Sequence, residues 1–258
     1  MRLKFFLAII FFGFAFYNSS CYSVKKCQNC GSVLLKHRML NAETGEFILL
    51  AYERDRRVWY MDSLIIGEGA HVDIENDRYG NSTWKTYVGE YTFIDLRTKS
   101  YYEYLTFSDT AKIVDSYFEA AVGGNKRGWK FFSSNVLFPI EKTVNLSDTI
   151  MDGRPYKRIK TIDSVKVLNA QDQKGNDSTQ IQIRIGYIRC DLQTPIFSMD
   201  KNVEKRLGCQ VVRFDQIAPS NQSIISTQIE FLSQPLTEKE IKVFNAWKTN
   251  MKKYPITK

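Results

Sequence analysis

The chain has 258 residues, of which 43% are hydrophobic, 14% aromatic and 25% charged. That apolar content excludes a disordered chain, and the length suffices for one sizeable core or two smaller lobes. The net charge of +8 comes from 36 Lys and Arg against 28 Asp and Glu, scattered except for small clusters at Arg54, Arg56, Arg57 and at Lys157, Arg158, Lys160; with no long basic run or RNA-binding signature, nucleic acid is not an expected partner.

The N-terminus carries the first signal. Met1-Arg2-Leu3-Lys4 is a short basic start, Phe5 to Phe16 is almost wholly apolar, and Tyr17-Asn18-Ser19-Ser20-Cys21 closes it with small polar residues. This is the pattern of a secretory signal peptide over 1–20, with an apolar core too short to cross a bilayer as a helix, which needs about 20 residues. Export to the periplasm, the outer membrane or the extracellular space is the expected localisation. Two outcomes at Cys21 are open. Plain cleavage leaves a soluble protein. Alternatively Cys21 is the acceptor of a lipobox, with Ser19 and Ser20 as its small residues and Asn18 where an aliphatic residue is usual; a diacylated Cys21 would then hold a membrane. Residues 21–45 read as a polar tether or irregular segment. Residues 46–258 read as one β-rich domain, with two lobes dividing near 135 as the other arrangement.

In an oxidising compartment Cys27, Cys30, Cys190 and Cys209 are disulfide candidates once Cys21 is lipidated or removed. Three pairings exist; the simplest joins Cys190 to Cys209, at the ends of neighbouring strand-like segments, and closes a loop worth about 3 kcal/mol. Cys27-Gln28-Asn29-Cys30-Gly31 has the spacing of a redox pair or of half a zinc knuckle. It lacks the preceding strand that the first needs and the second Cys-x-x-Cys that the other needs, so no metal and no cofactor is expected.

Strand patterns begin at Phe47. Phe47–Tyr52 and Val58–Met61 flank the charged Glu53–Arg56 and read as a hairpin. In residues 70–75 Ala70, Val72 and Ile74 alternate with His71, Asp73 and Glu75, a half-buried strand. Residues 91–107, dense in Tyr, Thr, Phe and Ile, form the clearest hairpin. Ser108-Asp109 then reads as an N-cap, with Ile113, Val114, Tyr117, Phe118 and Ala121 on one helical face and Gly123-Gly124 as a stop, which predicts an amphipathic helix over 109–121. Further strands are expected at 129–133, 140–145, 156–168, 179–190, 196–199, 209–215 and 224–232, with Asp152-Gly153 as a hairpin turn and Ile181, Ile183 and Ile185 facing one layer. Thr237-Glu238-Lys239-Glu240 is a capping box, and Ile241, Val243, Phe244, Trp247 and Met251 follow on a closing helix over 237–252. The fold class is therefore α+β: a curved, mainly antiparallel, half-barrel-like sheet with two amphipathic helices packed on it.

No catalytic constellation stands out. Gly-x-Ser-x-Gly and His-Glu-x-x-His are absent, and His37 and His71 are isolated. Gly123-Gly124-Asn125-Lys126-Arg127-Gly128-Trp129 departs from a phosphate loop at Trp129. The carboxylate pairs Asp73 with Glu75 and Asp109 with Asp115 are of the kind surface strands carry, and no catalytic residue is assigned.

The order of elements, with hairpins such as 91–107 and plug-like helices at 109–121 and 237–252, resembles the periplasmic lipoprotein-carrier and lipoprotein-binding half-barrels. The resemblance implies an apolar cleft between sheet and helix that accepts an acyl chain or lipid, with Ile113, Tyr117 and Phe118 as cleft residues and 109–121 as its lid. The first expectation for function is thus a non-enzymatic envelope protein, secreted or lipid-anchored, that binds an apolar or amphipathic ligand. A structural or protein-interaction module of the envelope is the second, and a secreted hydrolase with a cryptic site the third.

Overall fold

A computed structural model describes residues 29–41, 43–49, 54–79, 81–118, 137–167, 178–192, 199–218, 223–254 and 256. The expected leader, Cys21 and Cys27 lie outside these residues, as do the strand expected at 129–133 and most of that at 196–199.

Twelve antiparallel strands form one open, curved sheet among the described residues. Its order is β7 (Ile113–Phe118), β6 (Ser100–Tyr104), β5 (Ser82–Asp95), β4 (Leu64–Asn76), β3 (Arg56–Met61), β1 (Cys30–Leu40), β12 (Ser223–Leu232), β11 (Gln210–Ala218), β10 (Ser178–Arg189), β9 (Arg154–Val167), β8 (Thr143–Met151), with β2 (Phe47–Leu49) paired to β1. Among the described residues two helices, α1 (Lys201–Leu207) and α2 (Glu238–Lys253), complete the α+β fold.

Several local expectations hold. The β8–β9 turn is made by Asp152 and Gly153 at φ 51° and 70°, the left-handed pair that matches the twist of a two-residue hairpin. Helix α2 starts on the full capping box: the Thr237 hydroxyl accepts from the Glu240 N–H, and the Glu240 carboxylate accepts from the Thr237 N–H at 2.6 Å. Cys190 and Cys209 form a disulfide with Cα atoms 4.3 Å apart.

Three expectations are corrected. The segment 109–121 is not a helix where it is described: Ile113–Phe118 is the edge strand β7. The stripe Ile113, Val114, Tyr117, Phe118 has helical spacing and does not alternate, and Val114 is left exposed in the strand. Pairing along β6 decides the matter, with the Tyr117 ring stacked on Tyr101 at 5.3 Å. The Ser108 hydroxyl does accept a nearby N–H, that of Thr110, but in a turn rather than at a helix start. Second, of the hairpin expected from Phe47–Tyr52 and Val58–Met61, the described part Phe47–Leu49 does not pair with Val58–Met61. β2 and β3 instead lie end to end along the same edge of β1, through Arg38–Leu40 and Cys30–Leu35 respectively. Third, β1 falls inside the span read as an irregular tether and is a central strand, paired on both sides.

The registers separate two faces. The front face carries Trp59, Leu64, Ile66, Phe93, Tyr102 and Tyr104, covered by Val243, Phe244 and Trp247 of α2. Spacings of three and four put these helix residues on one stripe, and the Trp247 indole lies flat on Tyr104 at 3.8 Å. The back face carries Val33, Leu35, Val58, Tyr60, Ile65, Ile94 and Tyr101, continued by Ile159, Ile188, Val211 and Ile229. Phe138, Met199 and Val203 pack on it. Buried Asp200 caps α1 through the N–H groups of Asn202 and Val203, and also accepts from the Phe138 N–H at 2.8 Å. Among the described residues the back face is thus covered from β7 to β9, and the front face only from β3 to β6.

Candidate functional site

The residues expected to line one cleft are divided between faces. Tyr117 is buried in the back core, its hydroxyl donating to Glu103 at 3.0 Å. Burial first, then the Glu103 carboxylate, pushes that phenol up. Ile113 packs at the rim of the front core beneath α2. The interface between α2 and the sheet, where a cleft was expected, is filled by aromatic rings: Trp247 stacks on Tyr104 and meets Phe93 edge to face, as does Phe244, and Trp247, Phe244 and Phe93 are fully buried.

Among the described residues, an uncovered concavity lies elsewhere, on the front of the strands from β8 to β2. Cα partners share a face, so the registers give its floor row by row. One row runs Ile162, Ile183, Ile217 and Ile224 across β9, β10, β11 and β12. Leu40 and its partner Phe47 continue it on β1 and β2, since Leu40 lies two residues beyond Arg38, the partner of Ser226. The next row is Val144, Lys160, Ile185, Asp215, Ser226, Arg38 and Leu49. The third is Leu146, Arg158, Tyr187, Arg213, Gln228 and Lys36. Apolar side chains here remain open, with Ile162 52% and Phe47 39% exposed.

Arg213 shows that this face is concave. Its Nη1 lies 3.9 Å from the Met151 sulfur on β8, and its guanidinium carbon stands 5.2 Å from the centre of the Phe47 ring on β2. In a flat sheet those two strands, six spacings apart, would be separated by about 29 Å. One guanidinium meets both, so the strands curl toward the front and Arg213 lies at the centre of a trough. Asp215, 6% exposed, holds it there by accepting from Nε at 2.9 Å and Nη2 at 3.1 Å. The Tyr187 hydroxyl donates to Asp215 at 2.9 Å, and the Tyr187 ring lies under the guanidinium at 4.9 Å. Burial first, then the Asp215 charge, moves the Tyr187 phenol up to about 12, so it remains a neutral donor.

The trough is positively charged. Lys36 pairs with Glu230, Arg38 with Asp55 and Arg213 with Asp215. Among the described residues five cations on its floor thus meet three carboxylates, and Arg158, which donates to the Ser147 carbonyl and hydroxyl, and Lys160 carry the excess. An aliphatic row beside a cationic one can hold an apolar tail and an anionic head. The regular Ile181, Ile183, Ile185 alternation pointed to this surface. The pair Arg213 and Asp215, two residues apart on one strand, was the signal available for its centre.

The histidines stand apart from the trough. His37 Nδ1 is 3.0 Å from the Thr227 hydroxyl on the back face, and burial, then Arg56 and Arg38, lower its pKa to about 4. His71 is exposed beside Asp73 and the Tyr87 ring. Glu75 is bound to Lys85 at 2.8 Å. Cys30 is half-buried at the start of β1, against the front core. Among the described residues no group of three or more His, Cys, Asp or Glu is placed to hold a metal.

No family model and no curated protein matches the chain. Among solved structures it is similar to LprF of Mycobacterium bovis (12% identity, 83% of this chain and 90% of that one, TM-score 0.30). It is similar to the lipoprotein LppX of Mycobacterium tuberculosis (12%, 83% and 93%, TM-score 0.30). A third is a domain named for outer membrane lipoprotein sorting from Vibrio parahaemolyticus (13%, 84% and 91%, TM-score 0.26). Two of these three carry lipoprotein or lipoprotein sorting in their names.

Proposed function

We propose that this chain is a non-enzymatic protein of the bacterial cell envelope, exported by its leader, that holds an anionic amphipathic molecule in the front trough. The apolar part lies along Ile162, Ile183, Ile217, Ile224 and Phe47, and the anionic group meets Arg158, Lys160 and Arg213. The observation that carries this reading is the Arg213 contact with both Met151 and Phe47, which makes an isoleucine-floored sheet face concave. The row from β9 to β2 spans about 24 Å, enough for an extended acyl chain. Lipidation of Cys21 would place this trough beside a membrane.

Native mass spectrometry of protein purified from its own membranes tests the proposal, together with titration of a dispersed single-chain carboxylate such as decanoate. A bound acidic lipid and saturable binding are expected. Ile183→Asp with Ile217→Asp should abolish both. Arg158→Ala with Lys160→Ala should weaken decanoate while leaving decanol unchanged. Equal binding by wild type and the Ile183→Asp, Ile217→Asp variant would overturn the reading.

A further inference from the structure

The cations of the trough are unevenly balanced. Toward β1 each has its own carboxylate: Lys36 has Glu230, Arg38 has Asp55 and Arg213 has Asp215. On β9 two do not. Arg158 and Lys160 stand two residues apart on one face of the strand, about 7 Å from each other. Among the described residues neither meets a carboxylate, and Asp148, on the neighbouring stretch of β8, pairs with neither. Both cations are half-buried, where an unmatched charge costs more than at an open surface.

A bulge builds this end of the trough. β8 pairs regularly with β9 from Thr143 to Leu146, then slips, so that Ser147 and Asp148 together stand opposite Lys157. The Ser147 carbonyl, which the bulge takes out of the ladder, accepts from Arg158 Nε at 2.8 Å, and the Ser147 hydroxyl accepts from Nη2 at 3.1 Å. Two guanidinium nitrogens are thereby fixed. Nη1 keeps no hydrogen-bond partner among the described residues, and neither does the Lys160 ammonium with its three donors. The neighbours of Lys160 on this face are aliphatic, Val144 on β8 and Ile185 on β10. A pinned guanidinium and an ammonium therefore flank one end of the isoleucine row. The other end closes on Leu40 and Phe47, with no charged residue in the row.

We propose that the trough takes its occupant in one direction, with a phosphate monoester head on Arg158 and Lys160 and an alkyl tail running across β10, β11 and β12 toward Phe47. This narrows the trough reading and rests on it. Charge selects the head. At neutral pH a phosphate monoester carries nearly two negative charges and three acceptor oxygens, which matches two cations that no carboxylate balances and the donors they keep. A carboxylate or a phosphodiester carries one charge and would leave one of the pair unmatched. Charge also selects the direction, because at the β1 end a dianion would meet cations already held by Glu230 and Asp55. The tail then has Ile183, Ile217 and Ile224 beneath it in turn, over the three strand spacings, about 14 Å, from β9 to β12.

The test is titration of the full chain, below micelle formation, with dodecyl phosphate and with its methyl ester, which share a tail and differ by one charge at about pH 8. Wild type should bind the monoester about fivefold more tightly, the size of one exposed ion pair, and Lys160→Gln should erase that preference. The selectivity is read on wild type, so no folding defect of a variant can mask it. Direction is read with dodecyl phosphate brominated at its terminal carbon, a short-range quencher of tryptophan. Ile224→Trp, on β12, should be quenched beyond the baseline of the four native tryptophans, and Val144→Trp, beside Lys160, should not. Equal affinity of wild type for the two esters would overturn the proposal while leaving the trough occupied, as would quenching at Val144→Trp alone. Displacement of dodecyl phosphate by an equal concentration of inorganic phosphate would also overturn it, marking an ion site in which the tail plays no part. Binding of neither ester would refute the trough reading and this proposal with it.

Discussion

The Glu240 carboxylate is the main polar link between α2 and the sheet, and its removal has a calculable cost. One oxygen accepts from the Thr237 N–H at 2.6 Å and the Thr237 hydroxyl at 2.9 Å. The other accepts from the Trp59 indole N–H at 2.6 Å and lies 3.1 Å from the Arg57 guanidinium. Burial opposes its ionisation, but the Thr237 N–H, Trp59, the Thr237 hydroxyl and Arg57 together outweigh burial and hold its pKa below the usual carboxylate value. Glu240→Ala removes one half of a capping box, about 1 kcal/mol. It also leaves a buried indole N–H without its acceptor, a further 1–3 kcal/mol or so. A total near 3 kcal/mol is expected in urea unfolding followed by tryptophan fluorescence. Because the folded pKa is depressed, the contribution is complete above the unfolded value of 4.5 and is lost as pH falls through the folded one. Glu240→Gln should therefore flatten the acid limb of the stability curve. A loss below about 1 kcal/mol for Glu240→Ala would refute the reasoning, because it would mean that these four contacts do not hold the helix.

Two further predictions concern stability. The folded pKa of His37 is about 4 against 6.5 unfolded, so the unfolded chain takes up a proton that the folded chain refuses. Stability should be complete above pH 6.5 and decline toward pH 4 by at most about 3 kcal/mol. His37→Gln, which keeps a partner for Thr227, should remove the slope between pH 6.5 and 5; an unchanged slope in urea midpoints would refute this. Replacing Cys190 and Cys209 by alanine frees a loop with a sequence separation of 19 and should cost about 3 kcal/mol in the same assay. A loss under about 1 kcal/mol would show that the bridge leaves the unfolded chain nearly unconstrained.

Where sequence alone was sufficient, the signal was local and redundant. The capping box, the stripe behind it and Pro255 all mark the same helix, and Asp152-Gly153 sits between two alternating runs. It failed where the deciding interaction was distant. Nothing within 109–121 shows that Tyr101 waits to stack on Tyr117, and nothing in Phe47–Leu49 shows that it will pair with β1 in preference to Val58–Met61. Helix α1 had its caps, Asp200 and Gly208, but with seven residues it had too short a stripe to register as a period. The trough was half visible. The isoleucine alternation of β10 declared a layer, whereas the curvature that makes the layer a container depends on a contact from Arg213 to two strands lying far from it in sequence.

The distribution of aliphatic residues separates packing from function. Strands covered on both faces are apolar in consecutive positions, as in β4, where Leu64, Ile65 and Ile66 are all buried and divide between the two cores. On β9 to β12 the back face is covered, and there Ile159, Ile188, Val211 and Ile229 belong to the core. Core packing asks nothing of the opposite positions, which in a solvated face would be polar. Yet Ile162, Ile183, Ile185, Ile217 and Ile224 occupy them, and none belongs to either core cluster. Among the described residues these five isoleucines serve neither core, and the apolar occupant proposed for the trough accounts for them.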